Sequence, residues 1–341
     1  MTFPHPAPLF VNRLKPSTLL ATACLASPFV QLWSVSGQTF TALPNPAVLP
    51  TGTGNAVAFS PLGDHLAVGH EVSPFLTVYS IAGNVFTKKT NPTNLPAGAA
   101  NGVAFSPNGL WVAEGDNGNP QNSVYTYAAA NLVRVGLSGS YTDEDADLAF
   151  SPDSSLLVVA SGDDALALRI YSVSAGGVLT QLPNPAVMPS VFQNCVAFSP
   201  DGTLCFLGGG SPGFSTSFNL YGVSGTTFTK LSNPATVPTG TNSINGAAFS
   251  PDGKLLVLAT TASPYIYVYS VSGSTLTYLA SPSVIPSATR TACAFSRDGK
   301  LLALSGPSAP NIDMYAVSGN TLTSITPPSG AALNTRSIAF N

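Results

Sequence analysis

Short apolar runs recur along the chain, each closed by a small polar turn, at a nearly constant spacing. The clearest copy is Asn55 to Tyr79, which reads N-A-V-A-F-S-P-L-G-D-H-L-A-V-G-H-E-V-S-P-F-L-T-V-Y. Its anchor is an Ala-Phe pair, and the pair returns at Phe59, Phe105, Phe150, Phe198, Phe249, Phe295 and Phe340, at spacings of 46, 45, 48, 51, 46 and 45 residues. Around each anchor the pattern predicts four short strands. The first is apolar and ends on the Phe. A turn such as Ser199-Pro200-Asp201-Gly202 follows, where Pro presets φ, Asp accepts local backbone hydrogen bonds and Gly tolerates positive φ. The second strand is also apolar throughout, as at Leu255 to Leu258, which suits a strand covered on both faces. The third ends on an aromatic residue, read as Trp33, Tyr79, Tyr127, Tyr171, Tyr221, Tyr269 and Tyr315. The fourth alternates, as in T-F-T-K-L at Thr227 to Leu231, the mark of an outer strand with one wet face.

Repeats of about 45 residues with four strands each predict the blades of a β-propeller. Seven anchors and seven aromatic third strands give an all-β, seven-bladed ring of four-stranded antiparallel blades. The two counts are out of phase. The pattern begins inside a blade, with three strands over Leu19 to Leu43, and ends on an innermost strand, Ser337 to Asn341. The C-terminal strand is therefore expected to complete the N-terminal blade and close the ring, leaving no open sheet edge. Residues 1–16, with Pro4, Pro6 and Pro8, read as an extended arm, and residues 17–341 as one propeller domain.

Composition changes this picture little. Charged residues are only 8% of the chain, mean hydropathy is +0.27 and the net charge is −3. Lys and Arg form no stripe, which excludes a nucleic-acid footprint. No apolar run reaches membrane-spanning length. Arg13, Lys15 and the segment ending at Cys24 have the look of a short lipoprotein signal. Leu20-Ala21, however, stands one repeat, 46 residues, before Leu66-Ala67, so the segment reads as part of the ring. Cys24, Cys195, Cys205 and Cys293 lack metal-type spacing. Buried free thiols are expected, with a Cys195–Cys205 disulfide across one hairpin as the alternative.

V-A-F-S-P-D-G, then L-A, then V-Y-S-V-S-G resembles the WD-repeat propeller over residues 17–341. The Trp-Asp dipeptide and the Gly-His element of that family are absent. Together with N-P-A-x-x-P-T-G-T and T-F-T-K-L, the motifs look closer to the WD-like propellers of tailed-bacteriophage virions. That resemblance implies a non-enzymatic virion protein for assembly, decoration or host contact. Its partners would be other virion proteins, met through the arm and the loop-rich face, with a host-surface glycan or protein as a further one. No cofactor and no metal is implied. Two alternatives stay open, a secreted lactonase-like propeller enzyme and a cellular WD-type interaction scaffold.

Four constellations bear on chemistry. Four residues before each anchor stand Asn55, Asn101, Ala146, Asn194, Asn245, Thr291 and Arg336, a candidate ring at the channel mouth. Its plain alternative is an Asn that bonds local backbone. Asp143, Glu144, Asp145 and Asp147 form an acidic stretch whose oxygens suit a hard cation, or else a solvated loop. Phe29, Phe75, Phe214 and Tyr265 follow Ser-Pro or Pro-Gly in second-to-third-strand loops and offer a candidate binding face, against simple packing between blades. For catalysis the three histidines, His5, His65 and His70, assemble no triad, and near the channel mouth only Arg290 and Arg336 resemble lactonase side chains.

Overall fold

The computed structural model describes residues 19–119, 121–127, 131–137, 145–162, 167–210, 217–239, 242–331 and 334–341. The expected arm over residues 1–16 lies outside them. Among the described residues there are twenty-eight strands, β1 to β28 in chain order, in seven four-stranded antiparallel sheets, and no helix. Blades 2 to 7 each take four consecutive strands. Their innermost strands are β4 (Gly54–Phe59), β8 (Ala100–Phe105), β12 (Asp145–Phe150), β16 (Gln193–Phe198), β20 (Ile244–Phe249) and β24 (Ala292–Phe295). Blade 1 is made from both ends of the chain. Strand β28 (Thr335–Phe340) lies innermost beside β1 (Leu19–Cys24), β2 (Val30–Ser36) and β3 (Thr39–Ala42). The seven-bladed ring closed by the C-terminal strand is thus the observed architecture.

The tight turns explain why the first and second strands pair so regularly. In blade 5 the Ser199 hydroxyl donates to Asp201, and the Leu204 N–H returns a bond of 2.9 Å to the same Ser199 oxygen. Ser106, Ser151, Ser250 and Ser296 repeat that arrangement. At the seam no such turn exists, and Asn341 takes its place. The Leu19 N–H donates to the Asn341 side chain at 3.0 Å, and the Asn341 N–H donates to the Leu19 carbonyl. Two separate chain ends are joined by the bonds that a continuous turn makes elsewhere.

The core lies between blades. Seven apolar clusters each draw residues from two adjacent blades, from Leu19, Leu66 and Tyr79 between blades 1 and 2 round to Trp33, Met314 and Phe340 between blades 7 and 1. Each fully buried Leu, Val or Phe there contributes about 1.5–3 kcal/mol relative to exposure. The third-strand aromatics tie the inter-blade crossovers down. The hydroxyls of Tyr79, Tyr125, Tyr221, Tyr269 and Tyr315 donate to Val48, Asn94, Val187, Thr236 and Val284 carbonyls at 2.8 to 3.1 Å, and the Trp33 indole N–H reaches Ser329. In blade 3 this clamp is Tyr125 and not Tyr127. Tyr127 instead packs edge-on against Phe105, with ring centroids 4.7 Å apart. All four cysteines are buried free thiols. Cys205 pairs in register with Phe198 and Cys195 with Gly208, so the alternative disulfide has the wrong register.

Candidate functional site at the channel mouth

Crossovers and second-to-third-strand loops share one face of the disc, and the innermost strands run inward from that face. Near their starts six of them carry a β-bulge. Register skips one residue in β4, β8, β12, β16, β20 and β28, and the skipped residues are Asn55, Asn101, Ala146, Asn194, Asn245 and Arg336. A bulge frees one residue from ladder pairing and re-aims its side chain. The candidate ring is therefore a ring of bulges, with Thr291 at the matching place in blade 7.

The ring side chains are largely turned toward each other. Arg336 donates to the Asn55 amide oxygen, and Asn55 Nδ2 donates to the Ala100 carbonyl and the Asn101 amide oxygen at 3.2 and 3.3 Å. Asn194 Nδ2 reaches the Asn245 oxygen at 3.3 Å, Asn245 Nδ2 reaches the Arg290 carbonyl at 3.2 Å, and the Thr291 hydroxyl reaches the Thr335 carbonyl at 3.1 Å. The result is a polar belt in which each blade donates to the next, from blade 5 through the seam to blade 3. It stops at blade 4. The sequence there has Ala146, and among the described residues Asn101 Nδ2 has no partner on that side and Asn194 Oδ1 none on the other. Three of the ring's amide oxygens already accept hydrogen bonds, an arrangement poorly suited to enclosing a hard cation.

One residue further in, the strands approach closely. The seven residues at that level are Ala56, Gly102, Asp147, Cys195, Gly246, Ala292 and Ser337. Small size is required there: a Cβ on Gly246 would lie 2.7 Å from the Ala292 Cα, and one on Gly102 would lie 3.2 Å from the Asp147 Cα. Asp147 is the only carboxyl group at this level. Its Oδ1 accepts from the Leu148 N–H at 2.9 Å and its Oδ2 from the Val196 N–H at 3.0 Å. Burial pushes its pKa up to about 6, against the pull of those two N–H groups. The fully buried Cys293 thiol, raised to about 12 by burial first and by the Asp147 charge in addition, lines the same space.

Asp147, Arg336, Thr291 and the four ring asparagines line one cavity of about 240 Å³. Arg336 lies three blades from Asp147. Its Nη1 donates to Glu71 Oε1 at 3.1 Å, and Glu71 belongs to the second-to-third-strand loop of blade 2. The cavity thus holds a carboxyl group and, in another part of its wall, a guanidinium that already has a counter-charge.

The other candidates lie elsewhere. Phe29, Phe75 and Tyr265 sit at φ +64° in loops of the same face; each is half-buried, and none lines the cavity or enters an inter-blade cluster. Their N–H groups close turns onto Ala26, Val72 and Ala262, which holds a conformation that aromatic residues rarely adopt. Phe214 lies outside the described residues, as do Asp143 and Glu144. His70 is buried against Thr77, with its pKa lowered to about 4 by burial, and His65 sits against Asp64. Arg290 is fully buried and paired with Asp313, behind the ring and not in the cavity. Asp147 was missed as a channel residue because it stands in an acidic run. Aligning the seven innermost strands one place after the ring position exposes it.

No protein-family model matches the sequence, and no curated protein matches it either. Solved structures do match in shape. A Bacteroides fragilis protein provisionally described as a 6-phosphogluconolactonase superposes with a TM-score of 0.73 at 11% identity, covering 96% of this chain and 99% of its own. The periplasmic gluconolactonase PpgL of Pseudomonas aeruginosa gives 0.71 at 15% identity, over 94% and 98%. A Lactobacillus plantarum protein gives 0.74 at 16%, over 95% and 99%. At such identities the likeness establishes the fold. It also corrects the expectation of a non-enzymatic bacteriophage virion protein. That expectation rested on motif style, whereas the whole-chain shape groups with propellers described as lactonases.

Proposed function

We propose that this protein is a lactonase-like hydrolase that opens a cyclic ester at the channel mouth, with Asp147 as general base. The observation that carries the reading is the single carboxyl group at a channel level otherwise lined by small residues, with a pKa near 6. Such a group is ionised at neutral pH yet basic enough to take a proton, which is the requirement for a general base. In the proposed reaction Asp147 removes a proton from water while the water oxygen attacks the ester carbonyl. The oxyanion is met by a donor of the cavity wall, the Asn101 amide or the free guanidinium nitrogen of Arg336. The ring C–O bond then breaks, and the departing alkoxide takes the proton back from Asp147, giving one hydroxy acid per lactone and water.

Asn55 and Glu71 act as positioning residues for Arg336, since both accept from its Nη1. The shape likeness to propellers described as lactonases supports the same reading. The test is acid release from five- and six-membered lactones, corrected for the uncatalysed rate. Asp147→Asn should lower kcat by about 10²- to 10⁴-fold, the usual contribution of a general base. Wild-type activity should rise with pH through about 6 as Asp147 ionises. Absence of turnover by the wild type across the panel, or an undiminished Asp147→Asn variant, would overturn the reading.

A further inference from the structure

We infer that the break in the polar belt at blade 4 is a recognition notch for a neutral, polyhydroxylated lactone ring, and that the site rejects phosphorylated sugars. The inference rests on the lactonase reading for the ester group, but its charge selection stands on the cavity alone.

The belt is complete wherever two ring side chains meet, and both of its open ends flank Asp147. Among the described residues Asn101 presents an unused amide N–H₂ and Asn194 an unused amide oxygen, on β8 and β16, the innermost strands either side of β12. A donor and an acceptor on either side of a carboxylate complement hydroxyl groups, which donate and accept at once. Unmade hydrogen bonds at such positions discriminate strongly, because an analogue lacking the hydroxyl leaves the amides unpaired. A volume of about 240 Å³ lies below the range of drug-sized pockets and suits one sugar ring.

Charge decides between a free and a phosphorylated ring. A phosphate dianion is held by uncompensated Arg or Lys groups, bidentate Arg above all. Among the described residues Arg336 is the only cation lining this cavity, and it is paired with Glu71. Arg290 is buried behind the ring and paired with Asp313. Asp147 adds a negative charge. Arg169, on β14 (Leu168–Val173) of blade 4, is buried and does not line the cavity. Among the described residues, nothing lining the cavity supplies the uncompensated positive charge that a phosphate needs.

Binding to the full-length protein separates this inference from the lactonase reading. The probes are gluconolactam, a neutral non-hydrolysable ring, its 6-phosphate, and inorganic phosphate, measured by calorimetry. The neutral lactam should bind at least tenfold more tightly than its 6-phosphate, with no competition by millimolar phosphate. Asn101→Ala and Asn194→Ala should each weaken lactam binding about 5- to 30-fold, as lost hydrogen bonds to polar ligand groups do. Glu71→Gln, at an exposed position, should shift the ratio several-fold toward the phosphorylated ring by freeing Arg336. Equal or tighter binding of the 6-phosphate, or lactam binding indifferent to both Asn changes, would overturn the inference. Lactam binding without lactone turnover would leave it standing and remove the lactonase reading instead.

Discussion

Blade 4 and blade 6 are built to the same plan, and the contrast between them centres on two adjacent residues of the innermost strand. In blade 6 the ring position is Asn245, which accepts from Asn194 and donates to the Arg290 carbonyl; the next residue is Gly246, which lets the neighbouring strand approach. In blade 4 the ring position is Ala146 and the next residue is Asp147. One pair continues the inter-blade belt. The other interrupts it and places a carboxylate in the opening. A repeat protein stabilises its ring by copying one solution, so the blade that departs from the copy is where a constraint other than stability acts. The seam shows the reverse case, where the chain itself is discontinuous and yet the hydrogen-bond pattern is restored by Asn341.

The most disruptive way to break the comparison is to remove the seam. Deleting residues 337–341 takes Ile338 and Phe340 from the cluster between blades 7 and 1 and leaves β1 as an open edge. Loss of the cooperative thermal transition in calorimetry is expected; a truncated chain with an unchanged melting temperature would refute closure by β28. Next is Asp147→Asn, which removes the ionisable group from the opening at blade 4. Activity should fall by orders of magnitude while the fold persists, and the rise in activity through about pH 6 should vanish.

A third test sets Asp147 against an acid that does not line its cavity. Glu114, on β9 (Trp111–Asp116) of blade 3, is fully buried beside Ser123 and Asp116. Burial, and then the charge of Asp116, raise its pKa well above the ordinary value. A carboxyl with a raised folded-state pKa favours the protonated fold. Its cost to stability is absent below the unfolded-state pKa and grows as pH rises above it toward the folded-state value. Glu114→Gln should therefore gain stability relative to wild type between pH 4 and 8, read as a widening difference in melting temperature; a constant difference across that range would contradict the assignment. The smallest effect separates the belt from its ends. Asn245→Ala removes bonds on both sides and should cost about 1 kcal/mol. Asn101→Ala removes one acceptor and should cost less, while weakening ligand binding more. Equal stability costs would mean that the belt is not broken at blade 4.

Much of the fold was readable in one dimension because each blade repeats the same local chemistry. The Ala-Phe anchors, the Ser-Pro-Asp-Gly turns and the apolar second strands are short-range signals, and their phase fixed the closure. Tyr127 shows the limit of that reading. Two tyrosines stand two apart, both on the alternation, and only contact with Asn94 in the incoming crossover shows that Tyr125 is the clamp. The ring at the channel mouth was also legible as a column of positions, but not what its members do. Sequence spacing cannot say whether an amide faces the axis or its neighbour, since that depends on the bulge and on the distance to the next blade.

The sequence by itself determined the number of blades, the out-of-phase ends and the column of ring positions. Those follow from local propensity and from a period, which a linear chain carries in full. Only the tertiary structure decided that Asp147 leaves the acidic run and stands alone among small residues, that Arg336 is spent on Glu71 and Asn55, and that the belt opens at one blade. Each of these is a contact between residues 45 or more positions apart. Their pKa, pairing and accessibility are set by desolvation and charge in three dimensions, to which no single repeat gives access.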